Sequence, residues 1–187
     1  MGLLITAAVP AVAGAATANT TISSAIGSVI SVFTTNGTVN VNVTPTGSGA
    51  QTIASDTVTV STNDSSGYTL QLAESSATTT LTSGSNTIAA ISGTPGTPAY
   101  ETSGTWGWRV DGLASFGSGP TSAVNSAAIS GTLKFAAVPA SGSPYTLVTT
   151  ATTASNATTT VWYGVAANTS QATGTYTNTV TYTCTAN

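Results

Sequence analysis

Histidine is absent from this chain, cysteine occurs once, and basic side chains occur twice, as Arg109 and Lys134, among 187 residues. Charged residues make up 4% of the sequence, against about 25% in ordinary soluble domains, and the formal net charge is −3. Each absence excludes a chemistry. Without histidine there is no Ser-His-Asp triad and no partner to activate a catalytic thiol. With Cys184 alone, no intramolecular disulfide forms and soft metals lack a ligand set. Two cations neutralise too few phosphates to hold a nucleic acid, and make no basic patch for an anionic membrane. No cofactor and no enzymatic activity are expected.

What is present is threonine and serine, alternating with Val, Ile, Leu and Tyr, at an apolar fraction of 40%. That fraction supports a folded core, because disordered chains pair low hydrophobicity with high charge. The surface left over is neutral and polar. It offers little repulsion between copies, which favours packing against itself.

From about residue 20 the pattern has period two. Val39, Val41 and Val43 alternate with polar residues, as do Val58 with Val60, and Tyr68 with Leu70 and Leu72. Near the end, Tyr176, Asn178, Val180, Tyr182 and Cys184 share one face and threonines share the other. Turn residues punctuate these runs, with Asn63 to Gly67 reading as a tight hairpin. Nine to eleven short strands follow, and the predicted fold is an all-β antiparallel β-sandwich, Ig-like or jelly-roll-like, with an apolar N-terminal arm. Residues 19–187 read as a single domain.

Residues 2–16 form an apolar run that ends in small residues, without a basic residue before it. Residues 1–18 therefore read as a signal-peptide remnant or as an N-terminal assembly arm. A signal would place the protein outside the cell or at its surface, with membrane contact only during export. Residues 17–34 form the candidate donor segment, with Ile22, Ile26, Val29, Ile30 and Val32 as its apolar positions.

Residues 105–112 gather Trp106, Trp108, Arg109 and Asp111. As a strand, they put both tryptophans on one face and an Arg109–Asp111 pair on the other, outside face. The competing reading makes them a platform that stacks sugar rings and bonds their hydroxyls. Of Trp162 and Tyr163, one is expected in the core and one outside. The acids Asp56, Asp64, Glu74, Glu101 and Asp111 read as solvated turn and loop residues, although glycoside hydrolysis would need two of them about 5–10 Å apart. Lys134, beside Leu133 and Phe135, is expected to point outward rather than bond covalently to Asn178. Cys184 reads as a small apolar residue in the last strand, with an intermolecular crosslink as the sharper alternative.

The segments Ile22 to Val29, Asp56 to Leu72, Thr105 to Gly112, Val138 to Pro144 and Thr158 to Tyr182 resemble, in that order, the secreted Thr-rich surface proteins of candidate-phyla bacteria such as the Saccharibacteria. The resemblance implies an exported β-sandwich at the cell surface, with no enzymatic activity attached. Cys184 departs from the small or polar residue expected at its position.

Two functional classes follow. The first is a structural subunit of an extracellular filament or lattice, whose partners are copies of itself and whose arm completes a neighbour's sheet. The second is a monomeric adhesin or glycan-binding module that uses the tryptophan strand.

Overall fold

The alternation of β-branched and aromatic residues with Thr and Ser becomes strands wherever it runs uninterrupted, because such side chains fit a pleated, half-buried surface. The computed structural model describes residues 17–187; residues 1–16, on which the leader reading and the start of the arm fall, lie outside the described residues. The strands are β1 (Ile30–Thr34), β2 (Ala50–Thr62), β3 (Tyr68–Glu74), β4 (Leu81–Ser83), β5 (Asn86–Ala90), β6 (Ala99–Tyr100), β7 (Thr105–Arg109), β8 (Val124–Ala127), β9 (Lys134–Phe135), β10 (Tyr145–Thr149), β11 (Ala154–Ala167) and β12 (Val180–Ala186). No helix occurs among the described residues.

The fold is an all-β, sandwich-like arrangement. A large sheet runs β1-β2-β11-β7-β5-β4, with β8 added to the edge of β2, and a three-stranded sheet runs β10-β3-β12. The parallel pairing of β5 with β7 makes the larger sheet mixed. Its spine is β2 against β11, in register from Thr57↔Thr160 to Ala50↔Ala167. The main core lies between the two sheets. There Val58, Val60, Trp106, Trp108, Val161 and Val165 meet Tyr68, Leu70, Leu72 and Leu147.

A third layer covers the other face of the large sheet. The two-stranded β6–β9 sheet and its loops bury Ile53, Ile91, Phe135 and Trp162 there. Gly107 lets this layer come close, since a Cβ at that position would sit 2.7 Å from the Ala136 carbonyl oxygen. This layer explains why Trp162 and Tyr163 are both buried, at 8% and 6% exposure, although one was expected outside. A strand covered on both faces hides both parities of its residues.

Two local expectations change as well. Asn63 to Gly67 does not form a hairpin, because β2 and β3 belong to different sheets and the segment arches between them. Val39, Val41 and Val43 keep alternating burial and pack on the main core, yet they form no ladder. Side-chain bonds hold this stretch instead: the Thr52 hydroxyl donates to the Asn42 carbonyl (2.7 Å), and the Thr44 amide donates to Ser126 Oγ (2.8 Å).

Candidate assembly surface and buried polar centres

The candidate donor segment divides in two. Ile30 and Val32 belong to β1, which pairs in register with the molecule's own β2: Ile30 lies opposite Thr62 and Val32 opposite Val60. Val29 is held by its backbone. Its amide donates to Asn63 Oδ1 at 2.7 Å, while its carbonyl accepts from the Thr62 hydroxyl at 2.9 Å. The Asn63 amide also donates to the Gly27 carbonyl (2.9 Å), and Ser28 Oγ donates to Asp64 Oδ2 (2.9 Å). The arch between the sheets therefore clamps residues 27–29. Burial of this kind is absent further out. Ile22 is 91% exposed and Ile26 87% exposed, and residues 17–29 form no strand.

Apolar exposure gathered on one segment, here Ile22, Ile26, Val29, Val32 and Phe33, marks an interaction surface where single exposed residues would not. Residues 17–34 also carry no charge at all. A sheet edge is usually protected from stray pairing by charged residues, lysine above all. The lone lysine sits on β9, where its Nζ lies 5.2 Å from the centre of the Tyr100 ring. The Asn178 amide donates to the Thr78 and Thr80 carbonyls, both at 3.0 Å. Lys134 and Asn178 are thus engaged elsewhere and do not meet.

The tryptophan platform is corrected. Trp106 and Trp108 are 4% and 0% exposed, and their indole N–H groups donate to the Thr79 and Ala137 carbonyls, each at 2.9 Å. Neither presents a face for stacking a sugar. Arg109, expected outside, is fully buried by the third layer. Its guanidinium donates to the carbonyls of Lys134, Phe116 and Gly117 and pairs with Asp111, 3.1 Å from Nη2 to Oδ1. The Phe116 and Phe135 rings lie 6.0 and 5.9 Å from it. Burial pulls its pKa below the ordinary value, and the Asp111 charge opposes that pull.

The acids hold the sites that the sequence reading missed. Glu101 follows β6, so the third layer carries it onto the large sheet. Its carboxyl is 3% exposed, accepts from the Gln51 amide, and leaves Oε1 without a partner. Glu74 ends β3 at 1% exposure, with both oxygens unpartnered. Burial raises both carboxyls to about 8, so each is protonated at neutral pH. Neither is the solvated loop acid expected.

Glu74 shares the inward parity of Leu70 and Leu72, whereas Glu101 lies over Gly164 on the opposite face of the large sheet. The sheet separates them, so they do not flank one substrate as an acid pair. Inside the sandwich, the hydroxyls of Tyr163 on β11 and Tyr182 on β12 meet at 2.6 Å and tie the two sheets together. Desolvation holds both phenols above their usual value, and the Asp56 charge adds to it in both. Asp56 itself accepts from the Asn36 and Thr57 amides, which fixes the chain just after β1.

Cys184 is a free, half-buried thiol on β12, opposite Leu70, and burial pushes its pKa up. A raised pKa lowers the thiolate fraction and with it the reactivity. No signal in a single sequence would have separated Glu101 from an ordinary loop acid. Its burial depends on a layer built from two two-residue strands, too short for a period to register.

No family model, no curated protein and no solved structure matches this chain.

Proposed function

We propose that this protein is a structural subunit of an extracellular assembly, a pilus-like filament or a surface lattice, and that it assembles through its N-terminal arm. The observation that carries this reading is the exposure of Ile22 and Ile26 on a charge-free segment, clamped at residues 27–29 yet covered by nothing beyond them. Copies of the chain are the natural partner, because both surfaces are neutral and apolar burial on association supplies the driving force. Addition of a strand from one subunit to the next is head-to-tail and leaves an open end, so it builds a filament rather than a closed dimer.

Export and a place at the cell surface belong to the same proposal. The buried acids and the Tyr163–Tyr182 pair fit a scaffold role, since they sit inside the sandwich or under its third layer and not in an open cleft.

The test is electron microscopy and intact mass of the full-length protein, beside a variant that begins at Val29. Regular filaments or sheets from the full chain, with dispersed monomers from the shortened one, are expected. A shortened chain that polymerises equally well overturns the arm-based mechanism.

A further inference from the structure

β11 pairs with β2 from Ala157 to Ala167 and again at Ala154, past a bulge at Ser155 and Asn156, but β7 covers its other edge only from Trp162 to Ala166. Beyond Arg109 the chain leaves the sheet, turning at Asp111 and Gly112. Among the described residues, no strand therefore lies on that edge of β11 over residues 154–161. An edge paired on one side only leaves the outward N–H and C=O groups of every second residue without a ladder partner.

The vacancy is a groove. It encloses about 550 Å³ and is lined by Val110 and Leu113 from the departing loop, Leu147 and Val148 from β10, and Thr159 and Trp162 from β11. β10 is itself an edge strand of the smaller sheet. The sandwich is thus open along this side, between an unpaired edge of each sheet.

We propose that this groove receives residues 17–26 of a second copy, laid as a strand along β11 where β7 leaves off, an inference that rests on the assembly reading above. The stretch contributes ten residues to an open edge of eight, 154–161. Ile22 and Ile26 share one parity and supply the apolar side chains for Leu113, Leu147 and Val148, while Ser23 and Ala25 between them point to the other face. The stretch is uncharged and Asp111 is the only charge on the groove, so recognition rests on backbone pairing and apolar burial. The donor comes from a neighbour for a reason of topology. The arch at Asn63 and Asp64 clamps residues 27–29 in line with β1, and β2 and β11 both stand between β1 and the vacancy. That is three strand positions, about 14 Å at ~4.8 Å each, and crossing it would use about four of the ten residues that the pairing along β11 needs.

The test is disulfide trapping in the full-length chain on a Cys184→Ser background. Ile22→Cys or Ile26→Cys is combined with Thr159→Cys, and the protein is oxidised under assembly conditions. A disulfide forms only where the two Cα atoms come within about 7 Å. Leu113→Lys and Val148→Lys, checked for native tryptophan emission, are assembled in parallel.

A covalent ladder of dimers, trimers and higher species from at least one pair is expected. So is at least a tenfold loss of assembly in a folded lysine variant. Filaments that form with no ladder from any pair, and with both lysine variants assembling as the parent does, overturn the groove assignment and leave arm-driven assembly standing. A disulfide closed within one chain overturns the second copy as donor. A parent protein that stays monomeric throughout overturns the assembly reading, and the groove proposal with it.

Discussion

The Glu101 carboxyl lies directly over Gly164, so a Cβ at residue 164 would sit 2.6 Å from Oε1 and 2.9 Å from Cδ. The large sheet thus reserves a glycine for a buried acid. Gly164→Ala is expected to lose about 1–3 kcal/mol of stability, the usual cost of overpacking a core. Gly96→Ala, where nothing lies within 4 Å, should stay within about 0.5 kcal/mol of the parent. Pairing Gly164→Ala with Glu101→Ala should recover part of the loss, since neighbouring sites couple. Urea unfolding of the four proteins decides it, and equal midpoints for the two glycine variants would sink the contact.

Buried acids also set the pH dependence. Glu74 and Glu101 hold their protons up to about 8 when folded but release them near 4.5 when unfolded. Between those values the native state binds more protons than the unfolded one, so stability falls as pH rises. The expected loss is on the order of 1 kcal/mol per pH unit for each group, largely over above about pH 8. Below pH 4.5 the two contribute no slope. Chemical denaturation at pH 4.5, 6 and 8 measures this, and Glu101→Gln should flatten the curve. Stability that climbs from pH 4.5 to 8 would contradict the assignment.

These acids mark the boundary of what the sequence could reveal. Period-two runs such as Val58 to Val60 and Val180 to Cys184 announced the sandwich, because alternation reports one covered face directly. The same rule misplaced Arg109 and left one of Trp162 and Tyr163 outside, since it assumes that the second face is wet. Here a two-stranded β6–β9 layer covers that face. Likewise Asn63 to Gly67 has the composition of a turn, but composition does not say which sheet the chain enters next. Ile22 and Ile26 were legible as apolar positions ahead of the first strand; the unpaired edge of β11 was not, because it depends on where β7 stops.

Arg109 shows the consequence of that second covered face. Its guanidinium reaches three carbonyls and Asp111 at once, a fork that lysine cannot reproduce. Arg109→Lys is expected to cost roughly 1.5–3 kcal/mol and to loosen the Asp111–Gly117 loop, seen as faster proteolysis there. Asp111→Asn should cost less, about 1 kcal/mol at most, because the Asp111 side chain is 37% exposed. An Arg109→Lys protein as stable as the parent would refute the anchoring role.

Arm and edge strand separate cleanly by stability. Ile26 is 87% exposed, so Ile26→Asn removes no intramolecular burial and should leave the unfolding midpoint unchanged within about 0.5 kcal/mol. Ile30 packs on the main core and pairs opposite Thr62, so Ile30→Asn should lose roughly 2 kcal/mol of transfer and packing free energy. If assembly proceeds through the arm, the order inverts in sedimentation assays. The critical concentration then rises at least tenfold for Ile26→Asn, since about 1.4 kcal/mol per interface suffices for that factor. An Ile26→Asn protein that unfolds early would place the arm inside the folded unit, and one that sediments as the parent does would remove it from the contact between subunits.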